Sequence, residues 1–337
     1  ELRTPKPDKD LGGAPERLSE TLARAARDHE FLAGLYRGFK PYLVECYRRL
    51  AEESHPVSDV PTRRILQRVI ADKEAQIAEM EPVLEALAAD ATKRREMEQW
   101  AGHVRELAEW EESLAAGETD PAECPEPPPG HSTSPLPFMD ARRDERFELC
   151  FEGPPRPDPD DADAMAVYQF VNYAMEMQAA ETLGSVLWET EGMDWEFYYD
   201  VARHGYDESR HSQLGENRLR EMGHSLFDFP HTTTNFAWRQ LIDPLHRYCL
   251  LTYVIESDSF GYKHKTYKSH MERGDHASAE AVLYDIVDET LHVRWGKKWT
   301  SELMKHYGYE GSLKDLVAEC RDILMRNAVN PIQKASA

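Results

Sequence analysis

Asp207-Glu208-Ser209-Arg210-His211 runs on to Gly215, and Asp288-Glu289-Thr290-Leu291-His292 runs on to Gly296, so the chain carries D-E-x-x-H-x-x-x-G twice. On a helix, side chains three apart lie one above the other, so each copy sets a carboxylate and an imidazole on one face. A further glutamate precedes each copy at a matched distance: Glu176 lies 32 residues before Glu208, and Glu256 lies 33 before Glu289. Glu-x-x-His alone is a weak signal in a chain with 62 acidic residues, and it recurs at Glu52/His55 and Glu221/His224. Only the copies at 208 and 289 add the preceding Asp, the following Gly and the upstream Glu.

Outward from the repeat, the apolar spacing and the glycines divide the second half of the chain into helical blocks. Block one covers about 162–190 and stops near Glu191-Gly192. Block two covers 194–222, with Asp194 as its N-cap, and stops at Gly223. Block three is a long helix over 236–272 that ends at Arg273-Gly274. Block four covers 277–307, and a shorter helix over 312–327 closes the chain. Short connections after blocks one and three predict two antiparallel hairpins turning near Gly192 and Gly274. Glu176 and Glu208 then lie at about the same height on either side of the first turn, as do Glu256 and Glu289 on either side of the second, at roughly 1.5 Å per residue. Two hairpins bring four Glu and two His together. Glu181 competes with Glu176 as the first-block carboxylate, although five residues on it does not share the same face.

Ahead of these blocks, residues 1–14 hold prolines and glycines and read as a flexible lead-in. Residues 15–115 carry helical spacing throughout, including Met97, Trp100, Val104, Leu107 and Leu114, and predict an all-helical N-terminal domain; Pro41 should start a new segment or kink the old one. Residues 116–161 hold eleven of the chain's 21 prolines and predict a long, partly extended connection. Within it Phe147–Phe151 alternates like a short strand, or pins the loop to a domain surface. The chain from 162 to 330 is the bundle and its closing helix. The fold class is all-α.

The formal net charge of -22 argues against a nucleic-acid surface and against adsorption to anionic lipid, both of which need clustered Lys and Arg. No apolar run approaches the roughly 20 residues that span a bilayer. Five widely spaced cysteines with no C-x-x-C pair read as reduced thiols, and the chain as cytoplasmic.

Over about 162–305 the pattern resembles the ferritin-like di-iron carboxylate superfamily. Glu176-Met177-Gln178-Ala179 is similar to the first-helix ligand motif of rubrerythrin, and the two D-E-x-x-H stretches are similar to the paired ligand motifs of bacterioferritin. The resemblance implies a ferritin-like four-helix bundle with an additional N-terminal helical domain. It implies that Glu176, Glu208, His211, Glu256, Glu289 and His292 bind two metals, with Glu208 and Glu289 as bridges and Asp207 and Asp288 bonded to His292 and His211 across the bundle. Glu181 then supports the site or substitutes for Glu176. Carboxylates and imidazoles suit iron or manganese, and four Glu neutralise two divalent ions. The expectation is two Fe ions, with Mn/Fe and Mn/Mn as alternatives, and O2 as co-substrate. The implied function is an oxygen-activating di-iron oxidase or oxygenase acting on a small organic substrate, with an electron-donor protein as partner and a homodimer as assembly. Ferroxidase or iron handling is the first alternative, and an interaction protein with a structural di-metal site the second. Tyr173 and Tyr253, each three before an expected ligand, are candidate catalytic tyrosines. Ala180, Gly205, Gly215, Ser259 and Gly296 are small residues that leave space beside the metals or permit close helix packing.

Overall fold

The computed structural model describes residues 14–129, 144, 146–150 and 153–329. The lead-in and much of the proline-rich connection, Phe151 included, lie outside the described residues. The fold is predominantly helical, and the chain divides into two compact units, Glu1–Pro137 and Phe138–Ala337.

The first unit contains α1 (Ala14–Ala23), α2 (Asp28–Ala33), α3 (Lys40–Glu53), α4 (Val60–Leu87) and α5 (Ala91–Ala116). A π-helical turn, Gly34–Phe39, joins α2 to α3, so Pro41 follows a widened turn rather than a break. The spacing read along α5 is the buried one: Met97, Trp100, Val104 and Leu107 form its core face, and Asp90 caps the helix by accepting from the Thr92 and Lys93 amides. On α4 the apolar side chains of Ile65 and Val83 remain exposed, while Leu66 and Leu84 are buried.

The second unit holds α6 (Ala162–Ala174), α7 (Met177–Glu189), α8 (Trp195–Glu221), α9 (Thr234–Arg239), α10 (Pro244–Tyr248), α11 (Glu256–Glu272), α12 (His276–His306) and α13 (Leu313–Val329). Helices α6 and α7 pack along α8, α11 packs along α12, and α8 meets α12. Gly192 and Gly274 stand at the two hairpin turns with φ of 74° and 75°, the left-handed region that closes a helix without a Cβ clash.

Two expected helices are interrupted. Block one breaks at Met175-Glu176, where the chain tightens before α7 and the Gln178 amide bonds the Met175 carbonyl at 3.1 Å. Block three is three pieces, because Asp243-Pro244 starts α10 afresh, with Asp243 accepting from the His246 amide. A second π-helical turn, Cys249–Ile255, then leads into α11 at Glu256. The two lone glutamates therefore sit at helix irregularities, one at a kink and one directly after a widened turn.

Leu149–Cys150 (β1) pairs in parallel with His231–Thr232 (β2), and the Phe147 ring lies against Phe227 and His231 at 4.7 and 4.6 Å. The segment is both a short strand and a pin. Along α8 and α12 one apolar cluster holds Phe197, Val201, Trp299 and Leu303, another holds Leu219, Val282 and Ile286, and the polar repeat lies between them. Among the described residues no helix is long and apolar enough to cross a membrane, and all five cysteines are free thiols.

Candidate metal centre

Helices α8 and α12 contribute their repeats to one buried belt, and Glu176, at the kink before α7, and Glu256, the first residue of α11, add the lone glutamates. His204, Glu208, His211, Glu256, Glu289 and His292 are all buried, and Glu176 is part-buried. Three groups bring ligand atoms within 4.8 Å of one another: His204, Glu208, Glu256 and His292; Glu176, Glu208 and His211; and His211, Asp285 and Glu289. All six expected ligands belong to these groups, and Glu208 joins the first to the second. Such groups could hold a metal ion.

His211 Nδ1 lies 3.2 Å from Glu176 Oε2 and 3.8 Å from Glu208 Oε2, and His292 Nδ1 lies 3.4 Å from Glu208 Oε1. The opposite ring nitrogens point to the second aspartates, with His211 Nε2 at 3.1 Å from Asp288 and His292 Nε2 at 3.5 Å from Asp207. Each carboxylate takes the Nε2–H and leaves the Nδ1 lone pair facing the glutamates, as a metal-binding imidazole requires. The donor atoms fit an ion on a second count. Nδ1 of His211 and His292 and Oε2 of Glu176, Glu256 and Glu289 are buried without a hydrogen-bond partner among the described residues. A belt of buried, unsatisfied acceptors is costly unless a cation occupies it.

Burial and charge act against each other across the belt. Burial raises the Glu176 carboxyl, with His211 pulling the other way, and burial lifts Glu289 well above the usual range although Lys263 opposes it. Burial also works against charge on His204 and His211, but the surrounding carboxylates outweigh it: Glu256 and Glu208 lift His204 to about 10, and Asp288, Glu176 and Glu208 lift His211 well above the usual value. His292 is lowered, by burial first and then by His204, whose ring stacks on it at 3.6 Å. The carboxylates that favour positive charge on His204 and His211 would favour a bound cation in the same way.

Four residues were not foreseen. His204 bonds Glu208 at 3.1 Å and Glu256 at 3.0 Å through Nε2. Asp285 accepts from the Tyr173 hydroxyl at 2.6 Å and from Lys263 at 2.7 Å, and Lys263 reaches Glu289 at 2.5 Å. The signal was in the repeat: His204 and Asp285 each stand four residues before the repeated Glu, so the shared frame extends one turn upstream. Lys263 lies seven after Glu256, two turns along the same face. The fourth, Arg239, has no sequence signal; it is buried at the end of α9, and burial draws its guanidinium down to about 10.

Tyr253 falls in the π-helical turn and is partly buried against the apolar cluster that holds Phe197, Val201, Trp299 and Leu303. Glu181 is part-buried one turn further along α7 and joins none of the ligand groups. Of the two readings of the small residues, Gly215 and Gly296 follow close helix packing: a Cβ at Gly215 would lie 2.3 Å from the Ala174 amide nitrogen, and one at Gly296 would lie 2.6 Å from Thr252 Oγ1. Tyr173 meets the belt through its hydrogen bond to Asp285.

A cavity of about 410 Å³ opens on the belt, lined by Glu176, Glu208, Glu256 and Glu289 together with Asn172, Ser259 and Arg239. A larger one, about 1000 Å³, is bounded by Val167, Arg218, Phe229 and Arg273 and by none of the candidate ligands. In the first unit His29, Glu30 and Glu96 form another group, but Arg27 already pairs with Glu96 at 2.8 Å. No curated protein and no solved structure matches the chain. The DUF455 family model, described as a protein of unknown function, matches residues 140–336, which include every helix that supplies the belt. That match spans more than half of the sequence, and the chain belongs to the DUF455 family.

Proposed function

We propose that the second unit is a ferritin-like four-helix bundle that holds two metal ions, iron in the first instance, and that the protein is an oxygen-activating oxidase or oxygenase for a small organic substrate. The observation that carries this reading is the cavity: it opens directly on Glu176, Glu208, Glu256 and Glu289, so a substrate can reach the ion-binding carboxylates. Storage of iron needs a route for ions but not a shaped organic pocket.

Glu176, Glu208 and His211 would hold one ion, and His204, Glu208, Glu256 and His292 the other, with Glu289 close to the first set. When bound, the ions supply the redox and Lewis-acid chemistry that activates O2. Asp288 and Asp207 hold the imidazoles in the Nε2–H tautomer and fix their rings. Lys263 orients Glu289 and Asp285, and Tyr173 holds the far oxygen of Asp285. The apolar clusters on either side keep bulk water out of the belt.

The test is metal content followed by oxygen uptake. Purified protein should bind two ions per chain and, loaded anaerobically with Fe(II), should consume O2 above the level of the Glu208→Ala/His211→Ala double variant. Oxygen use that scales with added iron over many equivalents would favour ferroxidase, and absence of uptake would overturn the oxidase reading.

A further inference from the structure

Arg239 lines the cavity, is 7% exposed, and has a buried Nε with no hydrogen-bond acceptor among the described residues. No described carboxylate forms an ion pair with its guanidinium, although Glu208 and Glu256 are near enough for their charge to act on it. An arginine on the next helix, α10, behaves differently. Arg247, also buried, pairs with Glu189 at 2.5 Å and bonds the Ser185 hydroxyl at 2.9 Å. Arg247 also donates to the Arg239 carbonyl at 3.0 Å, and Gln178 accepts from the Phe236 amide at 3.1 Å, so α9 is held firmly against the unit. The Arg239 side chain is therefore presented from an anchored backbone into open space.

The charge count around the belt gives this arrangement its meaning. Lys263 is matched by Asp285, Arg203 by Asp207 and Arg210 by Asp288. Four glutamates remain, which two divalent ions neutralise. Among the described residues Arg239 is then the buried cation of the centre without a carboxylate partner; its guanidinium lies 5.6 Å from the Trp238 ring centroid, which does not supply a negative charge, and a buried guanidinium so placed is unfavourable. An anion entering the cavity would satisfy it, and the planar fork matches carboxylate or phosphate oxygens in bidentate fashion.

We propose that the cavity takes a substrate bearing an oxyanion, a carboxylate or a phosphate, and that Arg239 binds that group so that the rest of the molecule lies toward Glu208 and Glu256. The inference rests on the dinuclear reading above and adds the substrate class. Asn235, one turn before Arg239 on α9, also lines the cavity and supplies an amide to the same group.

The test uses full-length protein loaded with Co(II), whose visible absorption reports the coordination sphere, and calorimetric titration with inorganic phosphate in one arm and benzoate in the other. Wild-type protein should bind one of the two saturably with little change in the cobalt spectrum, and Arg239→Gln should bind it about 10- to 100-fold more weakly, with Arg239→Lys in between. The arm that binds names phosphate or carboxylate as the class. Equal binding by wild type and Arg239→Gln, or binding that reshapes the cobalt spectrum alike in both, would overturn the inference. Should Arg239→Gln fail to fold, phenylglyoxal labelling of Arg239 in the wild-type chain, read by peptide mass spectrometry, must be slowed by the same anion; labelling unaffected by it overturns the inference. A chain that takes up fewer than two Co(II) ions overturns the dinuclear reading and the charge count with it, whereas full loading without Arg239-dependent binding overturns this inference alone.

Discussion

His211 donates its Nε2–H to Asp288, on the other hairpin, at 3.1 Å, and His292 points the same nitrogen at Asp207 at 3.5 Å. Each repeat thus supports the histidine of the other. Burial opposes charge on both aspartates, yet the histidine and arginine partners hold both carboxyls below their usual range, so the acceptors stay ionised. Asp288→Asn keeps the shape but weakens the acceptor. It should lower metal affinity about 10- to 100-fold, measured by competition with a chelator, while the far-ultraviolet dichroism is unchanged. Unaltered affinity would mean that the aspartates are merely structural.

Lys263 reaches Asp285 and Glu289 from α11 at 2.7 and 2.5 Å. Burial opposes its charge, but the two carboxylates hold it well above the ordinary lysine value. Lys263→Met leaves those carboxylates buried without their cation. Metal-free protein should lose about 3–5 kcal/mol in urea unfolding, the usual result of breaking a buried pair. Added Mn(II) or Fe(II) should recover much of the loss, so the gap between metal-free and metal-loaded melting temperatures should widen. Equal losses in both states would separate Lys263 from the metal centre.

The site was more legible in the sequence than the backbone that carries it. The doubled phrase picks out Glu208, His211, Glu289 and His292, and the hairpin glycines place Glu176 and Glu256 near them. What periodicity could not reveal is that these two glutamates follow a kink and a π-helical turn. Apolar spacing averages over a turn, so one inserted residue at Cys249–Ile255 leaves the amphipathic pattern almost intact. Asp243-Pro244 was a visible break that the apolar run across it concealed. His204 and Asp285 were missed because the repeat was read only from its shared letters: they occupy equivalent positions but differ in type. Arg239 gives no local signal, since what distinguishes it is burial beside the cavity without a carboxylate partner among the described residues.

The glycine that ends each repeat is explained by contact distance. Gly215 lets α8 approach the backbone of α6 at Ala174, and Gly296 lets α12 approach Thr252. Backbone cannot move aside as a flexible side chain can, so Gly215→Ala should cost about 1–3 kcal/mol or more in urea unfolding and reduce metal binding. Gly102, on α5 with nothing within 4 Å of an added Cβ, is the control. Gly102→Ala should be stabilising by about 0.5–1 kcal/mol, because it lowers unfolded-chain entropy in a helix interior. A loss at Gly102 equal to that at Gly215 would refute the packing argument.

His246 ties α10 to α13, with Nδ1 at 2.6 Å from Asp243 and Nε2 at 3.0 Å from Glu319. The Asp243 hydrogen bond, against the effect of burial and with help from Glu319, lifts its pKa to about 9. A histidine raised on folding stabilises fully below its unfolded value, about 6.5, and loses that contribution as pH climbs through the folded value. Both carboxylates are more than half exposed, at 57% and 51% of their side-chain area, so solvent screening reduces the effect to about 1 kcal/mol. His246→Gln should therefore be less stable than wild type by about that much near pH 6, with the gap closing toward pH 10, in urea titrations run across the range. A gap that is independent of pH would show that the ring contributes packing against Tyr309 rather than charge.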